Sequence, residues 1–302
     1  MKILLTGAQG QVGRSFQRLV AERCPDVTLL AADRRQLDIT DARAVATLVS
    51  AFQPDVIVNA AAYTAVDRAE SDRTLAFAVN ARAPGYLAEA ARQCQAHFVH
   101  FSTDYVFNSA GPLPLKEDEP CAPENVYGES KLAGEKEALS YERTTVIRTS
   151  WVFSEYGTNF LKTMLKLADS HASLSIVADQ RGCPTYAGDI AALALDIALT
   201  GEKPCGIYHF CGQGEVSWFE FAESIFEQAQ QEGMLSKRPQ LTAIPATDYP
   251  LPAKRPAFSV LDTGKITDAG FPPAPWRDAV KCVLAQLRQH ENPAAGAEKK
   301  GL

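Results

Sequence analysis

Thr6-Gly7-Ala8-Gln9-Gly10-Gln11-Val12-Gly13 decides the fold. Ahead of it, Lys2-Ile3-Leu4-Leu5-Thr6 reads as a short buried strand, and Val12, Phe16, Leu19 and Val20 recur behind it at the helical period. Gly7, Gly10 and Gly13 therefore occupy a strand-to-helix turn. Glycines there permit a tight bend, close approach of backbone N–H groups to a pyrophosphate, and close packing of helix on strand. The expectation is a dinucleotide site formed by Gly7, Gly10, Gln11, Val12 and Gly13. A ligand-free glycine turn is the competing explanation.

Further along, strand-like runs at Val27 to Ala31, Val56 to Asn59, Phe98 to Ser102 and Thr145 to Thr149 alternate with helical stretches near Asp41 to Ala51, Leu75 to Gln93 and Val126 to Leu139. This βαβ rhythm predicts an α/β fold, a Rossmann-type doubly wound parallel sheet with ligands at the carboxyl ends of its strands. After Trp151 the rhythm loosens into helices at Asn159 to Ala168, Gly188 to Leu199, Ser217 to Gln230 and Asp278 to Gln289, with strands at Leu174 to Val177 and Gly206 to Phe210. We expect residues 1–150 to form the dinucleotide-binding domain, with a returning helix near 188–200. Residues 151–187 and 201–290 should mainly form a smaller α/β substrate-binding domain, and 291–302 a disordered tail. Pro245 to Pro256 reads as an ordered loop, because its prolines sit among apolar and charged residues.

Composition narrows the function classes. The chain has 302 residues and a net charge of −6, which argues against a general nucleic-acid binder. No basic, apolar and small-residue leader precedes the first strand, and no apolar run reaches about 18 residues, so a cytoplasmic protein without a membrane partner is expected. The seven cysteines are scattered without a Cys-x-x-Cys pair and read as reduced thiols.

Chemistry enters at Tyr127-Gly128-Glu129-Ser130-Lys131, one helical turn that puts Tyr127 and Lys131 on the same face. An ammonium beside a phenol lowers its pKa from about 10, making the tyrosine a proton donor to a carbonyl near neutral pH. That spacing alone is weak. Joined to Ser102-Thr103-Asp104 and the glycine turn, it predicts nicotinamide-dependent reduction of a carbonyl. Cofactor choice should lie after the second strand, where an acid bonds ribose hydroxyls and arginines pair with a 2′-phosphate. Asp33, Arg34 and Arg35 stand there together, with Asp38 and Ile39 next, and the balance favours NADPH with NADH tolerated. An ordinary solvated turn would carry the same arginines. Ala62, Tyr63 and Thr64, in the small-residue turn after the third strand, should pass close to the cofactor, with Asn80 placed to brace them.

The glycine spacing resembles the short-chain dehydrogenase superfamily. Longer strings are more specific: Asn59-Ala60-Ala61-Ala62-Tyr63-Thr64-Ala65-Val66-Asp67, Ser102-Thr103-Asp104-Tyr105-Val106-Phe107, Asn125-Val126-Tyr127-Gly128-Glu129-Ser130-Lys131 and Arg148-Thr149-Ser150-Trp151-Val152-Phe153. With Asp179-Gln180-Arg181-Gly182-Cys183-Pro184-Thr185 and Arg255-Pro256, they resemble the dTDP-4-dehydrorhamnose reductase family over nearly the whole chain. The resemblance implies that Tyr127 gives the proton to a 4-keto oxygen and that Lys131 bonds the nicotinamide ribose. It implies further that Thr103 bonds the substrate oxygen or the phenol, that Asp104 touches the sugar, and that Trp151 walls it. Arg255 is the candidate for the pyrophosphate of a dTDP-sugar substrate, and Asn159 lies where family members line the site. Magnesium is described for some members, yet the five histidines are dispersed and no ligand spacing is present, so no metal is predicted. A monomer or homodimer, a related nucleotide-sugar reductase or epimerase, and a non-catalytic regulatory subunit that binds NADP all stay open. The product, dTDP-L-rhamnose, would serve surface polysaccharide such as lipopolysaccharide O antigen.

Overall fold

The computed structural model describes residues 1–108 and 111–291; the tail expected at the carboxyl terminus lies outside the described residues from 292 onward. β1 (Lys2–Thr6), β2 (Thr28–Ala32), β3 (Val56–Asn59), β4 (His97–Thr103) and β5 (Thr144–Thr149) match the expected strands to within one residue at each end. They join a further strand, Gly206–His209, in one parallel sheet ordered Gly206–His209, β5, β4, β3, β1, β2. The chain leaves β1 toward β2 on one side and continues from β3 on the other. The strand order thus reverses between β1 and β3, where a doubly wound sheet opens a crevice for ligands.

Alternation along each strand divides the core between the two faces of the sheet. Ile3, Leu5, Val58, Val99 and Ile147 face one way, onto Phe16 and Val20 of α1 (Gln11–Arg23) and onto Ile190, Leu193 and Ile197 of the Ala187–Leu199 helix. Leu4, Ile57, Phe98 and Val146 face the other way, onto Val45, Val49, Leu87 and Ala91. Two pieces from beyond residue 151, the Ala187–Leu199 helix and the Gly206–His209 strand, therefore return to this layer. A separate core holds Phe153, Leu161, Met164, Phe221, Ile225, Trp276, Val280 and Leu284.

The helix expected over Leu75 to Gln93 is interrupted. An α-turn at Arg73–Phe77 passes into a π-turn at Ala78–Arg82 and then into a helix over Ala83–Cys94. Pro84 has no N–H to offer the carbonyl of Asn80, one turn earlier, so the regular ladder fails there. Gly134 of the Val126–Ala138 helix packs against that same carbonyl, so closely that a Cβ on it would lie 1.9 Å away. A strand at Gln240–Ile244, parallel to Ser173–Val177, was not expected; its side chains are largely exposed and carry little apolar signal. Pro245 to Pro256 runs as a loop with one 3-10 turn at Ala246–Asp248.

Candidate active site

The glycine turn is built by close approach. Gly7 has φ +72° and sits against the loop after β3, where a Cβ would lie 2.5 Å from Ala60 and Ala61 backbone atoms. A Cβ on Gly13 would lie 2.2 Å from the Gly7 carbonyl. Gly10 caps α1 with no side-chain hydrogen bond. The first-turn N–H groups of α1 therefore remain free for an anion, with the positive end of the helix dipole behind them. Beside this turn lies a cavity of about 410 Å³ lined by Gly7, Gly10, Asp33, Arg34, Asp38, Ile39, Ala62 and Tyr63, all expected at the cofactor. Gln9, Arg35, Leu37, Thr40, Ala60, Ala61, Leu75 and Val79 complete it. Leu75 and Val79, four apart, give it an apolar wall that their helical spacing could have signalled.

The acids after β2 are partly committed to their own turn. Asp33 Oδ1 accepts from the Arg35 and Gln36 N–H groups at 2.8 and 3.1 Å. Thr40 donates its hydroxyl and N–H to Asp38 Oδ1, which holds the Asp38 carboxyl below the usual range with help from Arg34. Val12 packs partly into the core, and Thr64 is exposed with its carbonyl accepting from Val66 N–H at 3.0 Å. Gln11 is not part of the cavity lining, and its Oε1 accepts from Ser154 and Asn159 at 2.8 Å each.

Asn159, expected at the substrate, is held in another role in this structure. Its amide donates to Gln11 and to the Ser154 carbonyl at 2.7 Å, while its Oδ1 accepts from Lys162 N–H at 3.1 Å and caps the Phe160–Ala168 helix. A side chain committed to a cap and a cross-link has little left to offer a sugar.

Tyr127 and Lys131 stand one turn apart on the Val126–Ala138 helix. Asn125 caps that helix through Gly128 N–H at 2.7 Å, and the first turn presses so closely on Tyr105 that a Cβ at Gly128 would lie 2.2 Å from the Tyr105 carbonyl. The Tyr105 ring meets the Tyr127 ring edge-on, with centroids 5.5 Å apart. Thr103 ends β4, its hydroxyl donating to Asp104 Oδ1 at 3.0 Å. Burial pushes Asp104 up to about 6, against the pull of hydrogen bonds from Ser259 and Thr103.

The electrostatics differ from expectation in one respect. Burial pushes the Tyr127 phenol up to about 12, with the Thr103 hydroxyl acting in the opposite sense. The Lys131 ammonium donates to the Phe101 carbonyl at 2.6 Å. Burial also brings Lys131 down to about 8, against the pull of Glu135. Glu135 is itself locked in a buried pair with Arg148, with contacts of 2.9 and 2.7 Å, and accepts from Ser102.

Asn80 ties the cofactor side to this centre. Its Oδ1 accepts from Tyr63 N–H at 2.8 Å and its amide donates to the Tyr63 carbonyl and to Ser130 Oγ at 3.0 Å. Ser130 in turn donates to the Tyr127 carbonyl at 2.7 Å.

On the far side, Trp151 adopts φ +46°, a strained backbone for a bulky residue. Its indole lies flat on Trp218, with centroids 3.5 Å apart, over the space that Gly182 leaves open. Trp218 was missed from the sequence because no spacing links it to Trp151. A second cavity of about 460 Å³ is lined by Phe160, Met164, Ile176, Gln180, Trp218, Tyr249 and Arg255. Arg255 makes a two-pronged ion pair with Asp67 at 3.0 and 2.8 Å. Among the described residues, no group of three or more His, Cys, Asp or Glu side chains is placed to hold a metal ion.

The family model described as the RmlD substrate binding domain matches residues 1–289. A dTDP-4-dehydrorhamnose reductase of Aggregatibacter actinomycetemcomitans is 45% identical, the match covering 94% of this chain and 98% of the relative. Its counterpart from Escherichia coli K12 is 41% identical, over 95% and 98%. The Bacillus anthracis dTDP-4-dehydrorhamnose reductase, solved in complex with NADP, superposes with a TM-score of 0.88 at 34% identity, covering 94% of this chain and 99% of that one. A glycine cradle, a Tyr-x-x-x-Lys turn beside Thr103 and full-length likeness to these proteins agree: the chain belongs to the dTDP-4-dehydrorhamnose reductase family.

Proposed function

We propose that this chain reduces the 4-keto group of dTDP-4-dehydro-L-rhamnose to give dTDP-L-rhamnose, with NADPH as reductant and NADH accepted. The observation that carries this reading is the grouping of Thr103, Tyr127 and Lys131 at the carboxyl end of the sheet, tied through Ser130 and Asn80 to the loop that lines the glycine-side cavity. The cradle fits a dinucleotide: Gly7 and Gly13 leave the room, and the uncapped start of α1 offers N–H groups to a pyrophosphate. Arg34, which borders the cavity, suits a 2′-phosphate.

When bound, the reduced nicotinamide supplies the hydride that goes to the sugar C4. Tyr127 supplies the proton to the keto oxygen, so C4–H and O–H bonds form together. A phenol pushed up to about 12 is fully protonated at neutral pH, which is the state a donor needs. Lys131, bearing its charge below about 8, stabilises the phenolate left behind. Thr103 orients the keto oxygen, with its hydroxyl held by the Asp104 carboxylate beside it. Trp151 presents an indole face to the deoxy-sugar. The second cavity, apolar with a guanidinium at its edge, suits the base and diphosphate. A cytoplasmic location accords with seven free thiols, and a monomer or homodimer with the family reading.

The test is product identification with stoichiometry. One NADPH should be oxidised for each dTDP-L-rhamnose formed. Product without net oxidation would indicate an epimerase, and cofactor binding with no turnover of any 4-keto nucleotide sugar would indicate a regulatory subunit.

A further inference from the structure

Asp67 and Arg255 are 188 positions apart and meet across the molecule, Asp67 on the short Val66–Ala69 helix after β3 and Arg255 in the proline-rich loop. The contact is tied at several points. Arg255 Nη1 donates to Asp67 Oδ1 at 3.0 Å and to the Ala253 carbonyl at 2.9 Å, Nη2 donates to Asp67 Oδ2 at 2.8 Å, and Ala253 N–H donates back to Asp67 Oδ1 at 3.1 Å. A second strap holds the same loop, where the Asn125 amide donates to the Lys254 carbonyl at 2.7 Å. Asn125 also caps the helix that carries Tyr127.

A guanidinium has five N–H donors in a planar fork. Asp67 takes the end formed by Nη1 and Nη2. Among the described residues nothing accepts from Nε–H or from the second Nη2–H, and these two point in parallel along the adjacent edge. Such an edge matches two oxygens of a phosphate. Arg255 borders a cavity otherwise dominated by Phe160, Met164, Ile176, Trp218 and Tyr249. Tyr105, near enough for its hydroxyl to act on the Arg255 charge, packs edge-on against Tyr127. The guanidinium thus lies between an apolar chamber and the proton donor, as the diphosphate of a nucleoside diphosphate sugar lies between base and sugar.

We infer that Asp67 is a positioning residue for the substrate diphosphate: it grips one edge of Arg255 so that the Nε/Nη2 edge is presented, already oriented, to the phosphate oxygens. This rests on the proposed dTDP-sugar function. Two effects oppose each other at such a carboxylate. Its negative charge repels a diphosphate, while its grip removes the freedom of a long side chain that would otherwise be lost on binding. The grip prevails here because Asp67 occupies a different edge from the one left open, and because it also anchors the loop backbone at Ala253.

The experiment measures dTDP affinity by calorimetry on the NADP-bound enzyme, alongside steady-state kinetics, for Asp67→Ala, Asp67→Asn, Arg255→Ala and the double variant. Asp67→Ala should weaken dTDP and raise KM for the dTDP-sugar by about tenfold, the scale of one misdirected charge-assisted contact. Its kcat should stay within about twofold, and NADPH affinity should not change. Asp67→Asn, which keeps an oxygen for Nη1 and Ala253, should recover part of the loss. With Arg255 already alanine, removing Asp67 should cost much less than it does in the intact enzyme, because only its hold on the Ala253 N–H is then lost. Tighter dTDP binding by Asp67→Ala would overturn the inference in favour of a competing counter-ion. An undiminished loss in the Arg255→Ala background would overturn it in favour of a purely structural role. If Arg255→Ala weakens dTDP and Asp67→Ala does not, the inference fails and the diphosphate reading stands. If Arg255→Ala leaves dTDP affinity intact, both fail.

Discussion

The two sides of the proposed active site are made by different means. The cofactor side is made by backbone: Gly7 and Gly13 let chain segments approach within distances that a Cβ would forbid, and the open first turn of α1 supplies donors that no side chain provides. The substrate side is made by pairs of side chains brought from far apart, with Trp151 laid on Trp218 and Arg255 held by Asp67. A backbone site tolerates little change of size but much change of chemistry. A side-chain site behaves in the opposite way. Between them, Tyr127 and Lys131 share one helix that Asn80 and Ser130 link to the cofactor loop and Asn125 links to the proline-rich loop.

If that division holds, damage on one side should spare the other. The largest effect belongs to the shared centre: Tyr127→Phe keeps the ring, removes the proton, and should lower kcat by roughly 10²–10⁴-fold with NADPH affinity little changed. A near-normal rate in stopped assays of this variant would remove Tyr127 as the donor. Lys131 adds a pH signature. Its charged form supports the phenolate and is lost above about 8, so kcat/KM should fall on the alkaline side with an apparent pKa near that value. Lys131→Met should lower the rate throughout and abolish that limb. A limb unaltered in the variant would assign it to another group.

Next in size are the two one-sided changes. Gly13→Ala drives a methyl toward the Gly7 carbonyl and should cost about 1–3 kcal/mol of stability, with cofactor affinity falling and dTDP affinity kept. Arg255→Ala should do the reverse, raising KM for the dTDP-sugar by roughly 10–100-fold. Titrating each ligand separately against each variant checks both, and an equal loss of both ligands in either would break the division. The smallest effect is expected from neutralising Arg34 and Arg35 together, about tenfold on NADPH and almost none on NADH. Equal losses for the two cofactors would make the arginines structural.

What could be read beforehand follows the same line. Gly7, Gly10 and Gly13 were legible because a backbone requirement leaves its mark at fixed short spacing, and Tyr127 and Lys131 because one helical turn joins them. The sheet was legible from its alternating apolar runs, to within a residue. The side-chain pairs were not. Nothing near Arg255 announces a partner 188 positions earlier, and Trp218 gives no sign of facing Trp151. Asn159 did carry a local signal: an asparagine directly before an apolar helix is first of all a cap, and the structure uses it so. Pro84 likewise held the clue to the π-turn, since it deprives Asn80 of a donor. The upward shift of the Tyr127 phenol was not legible, because burial is a tertiary effect that a helical spacing does not carry.

The most direct test of the central claim follows the hydrogen itself. The enzyme is given dTDP-4-dehydro-L-rhamnose and NADPH carrying deuterium at the transferable position of C4 on the nicotinamide, and the sugar product is read by NMR. The account predicts one deuterium at C4 of the rhamnosyl unit per cofactor oxidised, with the hydroxyl proton coming from Tyr127 and exchanging with solvent. Product carrying no deuterium at C4, or formed while the labelled cofactor remains reduced, would contradict it.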